Sequence, residues 1–282
     1  MNGNVEELCI TVGYRCNFKC AHCAVVNKRH LELADSEKKL LVRVIKKRRV
    51  KALFFVGGEP TLYVPDINAI LTALAPRSIR SVKITTNGHF ATTVVKAVDV
   101  LKQYASLDVV QLSYDNYHAK FLPLRNIKNL YQACRRLDKK FNIVFTIQSP
   151  MALVQLRKFR ALGDFPVVVQ KLHPVGAAKE NNLSYSYPCF SRHVLRQRCP
   201  NLGKLIYMCG EGFTTCCSYL SLRENTARYI HPSAGGHLRS SFYRLISKNT
   251  FGGLMQKLGV SRQGLRPEHS SPCALCDYIF KD

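Results

Sequence analysis

The chain of 282 residues has no tryptophan and few acidic residues, with 18 Asp and Glu against 42 Lys and Arg. Its formal net charge of +24 favours an acidic partner, such as nucleic acid, an acidic peptide or a phosphorylated small molecule. No apolar run approaches the roughly 20 residues that span a bilayer, so we expect no membrane insertion. The aromatic residues do not interleave with arginine in any recognisable RNA-binding motif, which makes nucleic acid the weaker choice of partner.

The first seven residues are mostly polar, and no secretory signal peptide is recognisable there. The 12 cysteines are therefore better explained by metal ligation than by disulfides, which need an oxidising compartment. We expect a cytoplasmic protein. Hydrophobic residues make up 46% of the chain, which is enough for a large core and excludes global disorder.

Three cysteines, Cys16, Cys20 and Cys23, have a Cys-x3-Cys-x2-Cys spacing and no fourth cysteine nearby. An iron–sulfur cluster with four cysteine ligands mainly transfers electrons, whereas three ligands leave one iron open to a substrate or cofactor. A structural zinc site would normally add a fourth nearby Cys or His. His22 is the only candidate, and its place between two of the cysteines makes it a poor ligand. The spacing therefore favours a cluster with an open iron over zinc.

Strand-like and helical segments alternate over the first 175 residues. Strands are expected at 8–13, 52–56, 81–85, 107–112, 142–147 and 166–172, and helices at 36–48, 66–74, 92–104, 126–140 and 152–162. This alternation predicts an α/β fold with a parallel sheet, and six units are too few for a closed eight-fold barrel. The basic run 46–49 ends a predicted helix, where cations complement the helix dipole.

Active sites of parallel α/β folds lie at the carboxyl ends of the strands, and unusual residues stand at those ends here. The second, third and fourth strands are followed by Gly57-Gly58-Glu59-Pro60, Thr85-Thr86-Asn87-Gly88 and Ser113-Tyr114-Asp115. Paired glycines let the backbone approach a ligand closely, and a glutamate can accept a hydrogen bond from an ammonium group. The last two motifs taken alone also fit ordinary Asn-Gly and Asx turns.

Together these motifs resemble the signature of the radical S-adenosylmethionine (radical SAM) enzymes. The resemblance implies a partial (β/α)6 barrel in which Cys16, Cys20 and Cys23 hold a SAM-cleaving [4Fe–4S] cluster. It implies that reductive cleavage of SAM yields a 5′-deoxyadenosyl radical, which abstracts a substrate hydrogen, and that His22 packs on the adenine. It also implies a set of SAM-contacting residues, namely Gly57, Gly58, Glu59, Pro60, Thr86, Asn87, Ser113, Gln148 and Gly176. Asp115 is the candidate that positions the substrate.

The composition changes after residue 175, where cysteines become frequent and predicted helices become short. Cys199 precedes a predicted β-hairpin that turns at Gly212 and returns Cys217 to the same place, and Cys273 and Cys276 form a CxxC pair. Four thiolates suit an auxiliary [4Fe–4S] cluster, with structural zinc as the alternative and Cys216 as an alternative to Cys217.

This region resembles the shortened "twitch" form of the SPASM domain. We therefore expect a radical SAM core at residues 1–178 and a SPASM/twitch-like auxiliary cluster domain at 179–282. The resemblance implies an oxidoreductase or maturase whose auxiliary cluster accepts an electron from the substrate radical, and a flavodoxin- or ferredoxin-type electron donor. The substrate would be a ribosomally made peptide, acidic in view of the net charge, or a small natural-product or sugar intermediate. The alternative is an RNA-modifying radical SAM enzyme that binds nucleic acid through its basic surface.

Overall fold

Eight strands form one sheet in the computed structural model, which describes residues 5–25, 30–75, 78–223 and 225–281. The strands are β1 (Glu7–Thr11), β2 (Ala52–Val56), β3 (Ser81–Thr86), β4 (Val109–Ser113), β5 (Lys140–Ile147), β6 (Val167–Lys171), β7 (Lys204–Met208) and β8 (Gly212–Thr214). Their order is β6-β5-β4-β3-β2-β1-β7-β8, and every neighbouring pair is parallel except β7 with β8. The predicted α/β fold with a mostly parallel sheet is confirmed.

Ten helices accompany the sheet in the described part of the chain. They are α1 (Asp35–Arg48), α2 (Val64–Thr72), α3 (Val94–Lys102), α4 (Leu124–Arg136), α5 (Arg157–Arg160), α6 (Ala177–Glu180), α7 (Ala234–Arg239), α8 (Ser241–Lys248), α9 (Phe251–Lys257) and α10 (Pro272–Ile279). A search of those same residues finds no helix with the length and apolar character needed to cross a membrane.

The residue order of α1 shows how local sequence sets these boundaries. The backbone amide of Ala34 donates a hydrogen bond to Glu37 Oε2 at 2.8 Å, which caps the first turn. Leu41 and Ile45, one turn apart, bury the face that packs on the sheet. The basic residues 46–48 occupy the last turn, where they complement the helix dipole as expected. This basic end precedes β2, so it lies at the opposite end of the sheet from the carboxyl ends of the strands.

The strands β1 to β5 alternate between a buried face and a partly covered face. In β4, for example, Val110 and Leu112 are completely buried, whereas Gln111 and Ser113 are only partly covered. The buried side chains form one core with the helices, while the other face turns toward the interior of the curved sheet. The sheet therefore presents polar residues on its inner face.

Two elements differ from the sequence-based expectation. The expected helix at 152–162 is a 3-10 segment, Pro150–Leu156, followed by the single turn of α5, because Phe159 is its one buried side chain and little packing stabilises a longer helix. The hairpin of β7 and β8 turns at residues 209–211, and Gly212 begins the returning strand instead of forming the turn.

The hairpin also joins the main sheet, since β7 pairs with β1 in parallel register. A second hydrophobic core forms around α8, α9 and α10, with Phe242, Phe251 and Leu275 among its buried members. The division at residue 178 thus remains a prediction, and the sheet itself continues across it. This continuity places residues flanking the hairpin beside the carboxyl end of β1.

Candidate active site

The loop 13–23, which carries Cys16, Cys20 and Cys23, is held by the end of β2. The amide of Gly58 donates to the carbonyl oxygen of Gly13 at 2.9 Å, and the amide of Glu59 donates to that of Arg15 at 2.8 Å. A Cβ atom at Gly58 would overlap the carbonyl of Arg15. The glycines at this strand end therefore let the two backbones pack directly against each other.

The far end of the same loop is held from the C-terminal side of β6. The amide of Ala177 donates to the carbonyl oxygen of Cys23 at 2.8 Å. Gly176 has a φ of +55°, and a Cβ atom there would overlap the carbonyls of Cys23 and Ala24. Gly176, expected near adenine, therefore contacts the cysteine loop itself.

A cavity of about 600 Å³ opens at the carboxyl ends of the strands. The predicted site residues that line it are Cys16, Cys20, Cys23, Gly57, Gly58, Thr86, Asn87, Ser113, Cys217 and Cys273. The predicted residues outside its lining are Glu59, Pro60, Asp115, Gln148, Gly176, Cys199 and Cys276. The structure thus gathers cysteines from both halves of the chain around one space.

Cys16 has the most defined polar surroundings of the three loop cysteines. The backbone amide of Phe18 donates to Cys16 Sγ at 3.4 Å, and Asn87 Nδ2 lies 3.7 Å from the same sulfur. Asn87 Nδ2 also donates to Asn17 Oδ1 at 2.7 Å. Burial raises the pKa of the Cys16 thiol. Asn87, expected near the cofactor, thus supports the first cluster cysteine and also faces the cavity.

Glu59 is 1% exposed, and protein groups bind its carboxylate. It accepts hydrogen bonds from Thr61 Oγ1 at 2.8 Å, Thr86 Oγ1 at 2.7 Å and the amide of Asn87 at 2.7 Å. Burial raises the pKa of Glu59, and these donors oppose that rise. Its expected contact with a SAM ammonium group stays a prediction, whereas the observed contacts join the ends of β2 and β3. Pro60 begins a 3-10 turn after Glu59 and lies outside the cavity wall.

Asp115 lies behind two histidines, away from the position expected of a substrate-binding group. Its Oδ1 accepts from the amide of Tyr117 at 2.8 Å and contacts His118 Nδ1 at 2.9 Å, and its Oδ2 lies 3.3 Å from His22 Nε2. Burial alone would raise the pKa of Asp115, but the contacts with His118 and His22 outweigh it and lower the pKa below its usual range. His22 and His118 line the cavity, and Asp115 holds them there.

His22 stacks on Tyr117 with ring centroids 4.4 Å apart. Its Nδ1 atom is buried and has no hydrogen-bond partner among the residues that the structure describes. From the sequence, His22 is expected only to pack on the adenine, and His118 is not among the predicted site residues. The Asp115 carboxylate between them was the signal that could have linked the two, but only folding shows that the three residues meet.

The expected contact of Gln148 with SAM stays a prediction. Its side chain is exposed and lies outside the cavity, because β5 ends at Ile147 and the chain then leaves the sheet. Thr146, the last inward-facing residue of β5, and Gln170 on β6 line the cavity in its place. Sequence alternation along these two strands could have identified both.

The second group of cysteines surrounds a small space of about 30 Å³ beside the large cavity. The residues that bring sulfur to it are Cys199, Cys216, Cys217, Cys273 and Cys276. Cys199 precedes β7, the pair at 216–217 follows β8, and α10 carries the CxxC pair on successive turns. Burial raises the pKa of Cys199 to about 11 and also raises the pKa of Cys276. Five thiols therefore meet where four were expected.

The two adjacent cysteines of this group have different neighbours. After burial, the thiolates that raise the pKa of Cys276 are Cys216, Cys199 and Cys273. Cys217 faces the large cavity, and its sulfur accepts a hydrogen bond from Asn201 Nδ2 at 3.0 Å. Cys216 does not line the large cavity. Cys217 is in turn the thiolate that, after burial, does most to raise the pKa of Cys273. Which of the two adjacent cysteines completes the set therefore stays a prediction.

The spacing of these sulfurs bears on the zinc alternative. Within the described residues, the only three ligand atoms that all lie within 4.8 Å of one another belong to His22, Asp115 and His118. Sulfurs around one tetrahedral zinc ion would lie about 3.8 Å apart, given bonds of about 2.3 Å. Among the described residues, no three of the C-terminal sulfurs lie within 4.8 Å of one another. The choice between zinc and an iron–sulfur cluster stays a prediction.

The residues present fit the cofactors that the motifs imply. Three cysteines with no fourth in the loop suit an open-iron cluster, and the paired glycines provide a close backbone approach beside it. The unpartnered Nδ1 of His22 provides a polar contact for a bound nucleoside. The cavity volume lies within the range of small-molecule sites.

A sequence profile described as the Radical SAM superfamily matches residues 10–165. The chain belongs to this superfamily, and it is an enzyme. It is 26% identical to the "Putative peptide biosynthesis protein YydG" of Bacillus subtilis (strain 168), in an alignment covering 98% of this chain and 92% of that protein. It is also 24% identical to a "Probable GTP 3′,8-cyclase" of Sulfolobus acidocaldarius, over 62% of this chain and 59% of the cyclase.

Two solved structures share the fold. Streptococcus suis SuiB bound to the precursor peptide SuiA aligns with a TM-score of 0.51 and 19% identity, over 78% of this chain and 61% of SuiB. The structure titled "Native anSMEcpe with bound AdoMet and Cp18Cys peptide" aligns with a TM-score of 0.54 and 13% identity, over 97% of this chain and 95% of that one. At these identities the likeness shows the fold alone.

Proposed function

We propose that this chain is a peptide-modifying radical SAM enzyme with two iron–sulfur clusters. One observation carries the proposal. Cysteines from the loop after β1 and cysteines that follow β8 line the same cavity. A substrate in this cavity would lie between a cluster that cleaves SAM and a cluster that exchanges electrons. The near full-length similarity to a protein named for peptide biosynthesis supports a peptide as the substrate.

The cofactors, when bound, supply a 5′-deoxyadenosyl radical that abstracts a substrate hydrogen. The chain's own residues bind these cofactors and orient them. Cys16, Cys20 and Cys23 hold the first cluster, and Asn87 supports the Cys16 sulfur. Gly57, Gly58, Thr86 and Ser113 line the space for SAM, and His22 offers a ring face and an unpartnered nitrogen to its adenine. Cys199, Cys216, Cys273 and Cys276 hold the auxiliary cluster.

Iron analysis after anaerobic reconstitution tests this proposal. We expect about eight iron atoms per chain in the wild type and about four when Cys16, Cys20 and Cys23 are all replaced by alanine. Dithionite should release 5′-deoxyadenosine and methionine from SAM only in the wild type. About four iron atoms in the wild type and none in the triple variant would remove the auxiliary cluster from the proposal.

The position of Cys217 favours a second candidate for the final step. The first candidate is oxidation, in which the substrate radical gives an electron to the auxiliary cluster and the product has lost two hydrogens. In the second, Cys217 S–H donates a hydrogen atom to the substrate carbon radical, which restores the C–H bond and leaves a thiyl radical. One electron, which the auxiliary cluster would supply, and one proton from solvent then regenerate the thiol. The product of this route has the mass of the substrate and an inverted or restored carbon centre.

Product mass in D₂O separates the two routes. A thiol exchanges its hydrogen with solvent, so return from Cys217 adds one deuterium to the product, whereas oxidation removes two hydrogens. Cys217→Ser should abolish deuterium uptake if the second route operates. Cys189→Ser is the matched control, since Cys189 is exposed and absent from both cavities.

An RNA substrate receives less support from the arrangement of charge. The dense basic run at the end of α1 lies at the opposite end of the sheet from the cavity. Charge at that end cannot hold a nucleic acid against the cluster-binding loop without wrapping around the molecule. Salt-dependent RNA binding by the reconstituted enzyme would restore this alternative.

A further inference from the structure

The strand β6 forms a free edge of the sheet that leads into the cavity. It pairs with β5 on one side, and the described chain places no strand on the other. Unlike the inner strands, β6 is exposed along nearly its whole length. Val168 is 52% exposed and Val169 is 42% exposed. Natural proteins usually protect such edges, because an open apolar edge accepts another strand.

The hydrogen-bonding register shows which backbone groups of β6 are free. Ile143 donates its amide to the carbonyl of Pro166, and Leu172 donates its amide to the carbonyl of Ile147. Alternate residues of a parallel strand bond to the same neighbour, so Val168 and Gln170 also face β5. The amides and carbonyls of Val167, Val169 and Lys171 therefore point away from β5 toward the open edge.

The edge ends at the active site. Gln170 and Lys171 both line the large cavity that contains the cysteines. The ammonium group of Lys171 lies 4.8 Å from the ring centroid of Tyr185 and 4.6 Å from that of Tyr187. These cation–π contacts hold a positive charge at the point where the edge meets the cavity.

The segment that joins β5 to β6 also exposes apolar and cationic groups. It exposes Met151 at 76% and Val154 at 57%, and its helix α5 exposes Arg157, Lys158 and Arg160. An extended peptide along the edge would meet the exposed valines of β6 and the cation of Lys171 near the end of the strand. The chain's net charge of +24 adds to the attraction for acidic residues.

We propose that the substrate of this enzyme is an acidic peptide that binds as an added strand along the free edge of β6. Backbone hydrogen bonds to Val167, Val169 and Lys171 fix its register, and the strand direction leads one of its residues into the cavity. An acidic side chain of the peptide pairs with Lys171. This inference rests on the proposed peptide-modifying function and names how that site takes its substrate.

The probe is a display library of random peptides of about 12 residues, long enough for one strand of ordinary length with flanking residues. Selection on the reconstituted wild-type enzyme should enrich acidic sequences. Hydrogen–deuterium exchange with an enriched peptide should newly protect the amides of Val167, Val169 and Lys171, while the amides of Val168 and Gln170 are already protected by β5. Enrichment of non-acidic peptides, protection elsewhere, or no enrichment would overturn the proposal.

Two variants test the edge directly. Val169→Pro removes an outward amide that the fold does not use, and it should weaken binding of the enriched peptide about tenfold. Val169→Ala keeps that amide and should bind within about twofold of the wild type. Should Val169→Pro fail to fold by circular dichroism, Lys171→Glu serves instead, and it should reverse the selection toward basic peptides. Equal binding by Val169→Pro or an unchanged selection by Lys171→Glu would contradict the proposal.

Two further measurements distinguish a failure of strand binding at the β6 edge from a failure of the proposed radical SAM chemistry. If the wild type is a dimer that Val169→Pro dissociates, a second copy of the chain occupies the edge and the proposal is wrong. Cleavage of SAM by the wild type with dithionite, measured without peptide, reports on the proposed radical SAM chemistry alone. Cleavage without edge binding would refute the inference and leave the enzyme class intact.

Discussion

His22 Nε2 lies 3.3 Å from the buried Oδ2 of Asp115, so the residue between two cluster cysteines contacts the carboxylate that follows β4. The same carboxylate contacts His118 Nδ1 at 2.9 Å. Since both histidines line the cavity, Asp115 positions the cavity wall from behind. We therefore expect Asp115 to be a positioning residue that acts on SAM through these two histidines.

Asp115→Asn should weaken SAM binding by about three- to tenfold, because the amide cannot orient two histidines as a carboxylate does. Iron content should stay at the wild-type level, since no cluster cysteine is altered. Calorimetry of SAM binding to the reconstituted enzyme measures the effect. His118→Asn, which leaves the contact with His22 in place, is the control and should have a smaller effect. Unchanged SAM affinity in Asp115→Asn would show that His22 needs no such support.

The pH dependence of stability should also depend on Asp115. Its pKa is lowered on folding, so the carboxylate stabilises the folded state above its ordinary pKa of about 3.9 and loses that contribution as the pH falls below it. The difference in unfolding free energy between wild type and Asp115→Asn should therefore shrink as the pH falls below about 4. Urea unfolding of the cluster-free protein measures it. If the difference in unfolding free energy grew as the pH fell, it would contradict a lowered pKa of Asp115 in the folded state.

Glu59→Gln should destabilise the cluster-free protein by about 1–3 kcal/mol, because the two carboxylate oxygens accept from four donors of Thr61, Thr86 and Asn87, and an amide nitrogen at either position cannot accept. Denaturant unfolding gives this value. If Glu59 instead contacts the SAM ammonium group, as the sequence predicts, Glu59→Gln should weaken SAM binding and leave the unfolding free energy unchanged. The two readouts together decide between support of the strand ends and direct cofactor binding.

Gly58→Ala should lower iron incorporation at the first cluster, since the added Cβ would overlap the carbonyl of Arg15 and displace the cysteine loop. Gly253→Ala is the matched control. Gly253 lies in α9, where the added carbon would meet Thr250 Oγ1 at an ordinary 3.5 Å. We expect the control to keep full iron content and to be slightly stabilised by the better helix propensity of alanine. Full iron content in Gly58→Ala would mean that the loop adapts.

Cys216→Ser and Cys217→Ser should separate cluster binding from cavity chemistry. Cys216→Ser should lose about four of about eight iron atoms, because its neighbours are Cys199, Cys273 and Cys276. The Cys217→Ser variant should keep its full iron content. Its product, formed in D₂O, should no longer contain the added deuterium. Iron analysis and product mass give both results. The reverse pattern of iron loss would restore Cys217 as the ligand.

Much of this protein could be predicted from its sequence because the decisive signals are local. Alternating strands and helices gave the parallel sheet, and the spacing of Cys16, Cys20 and Cys23 gave the cluster loop. Motifs at the ends of β2, β3 and β4 named several residues of the cavity wall, among them Gly57, Asn87 and Ser113. Such signals survive without tertiary information, because parallel strands bring their carboxyl ends to one edge whatever the details of packing.

Other features were decided only by the tertiary structure. Sequence alone placed Glu59 and Asp115 at the site but not their partners, since a buried carboxylate takes whichever donors folding brings near. The pairing of β7 with β1 is a contact across almost 200 residues, and no local pattern encodes it. That pairing brings Cys217 beside the cavity, while β6 lies at the opposite edge of the sheet. The sequence by itself therefore determined the chemistry of the cluster loop, and long-range packing decided what faces it.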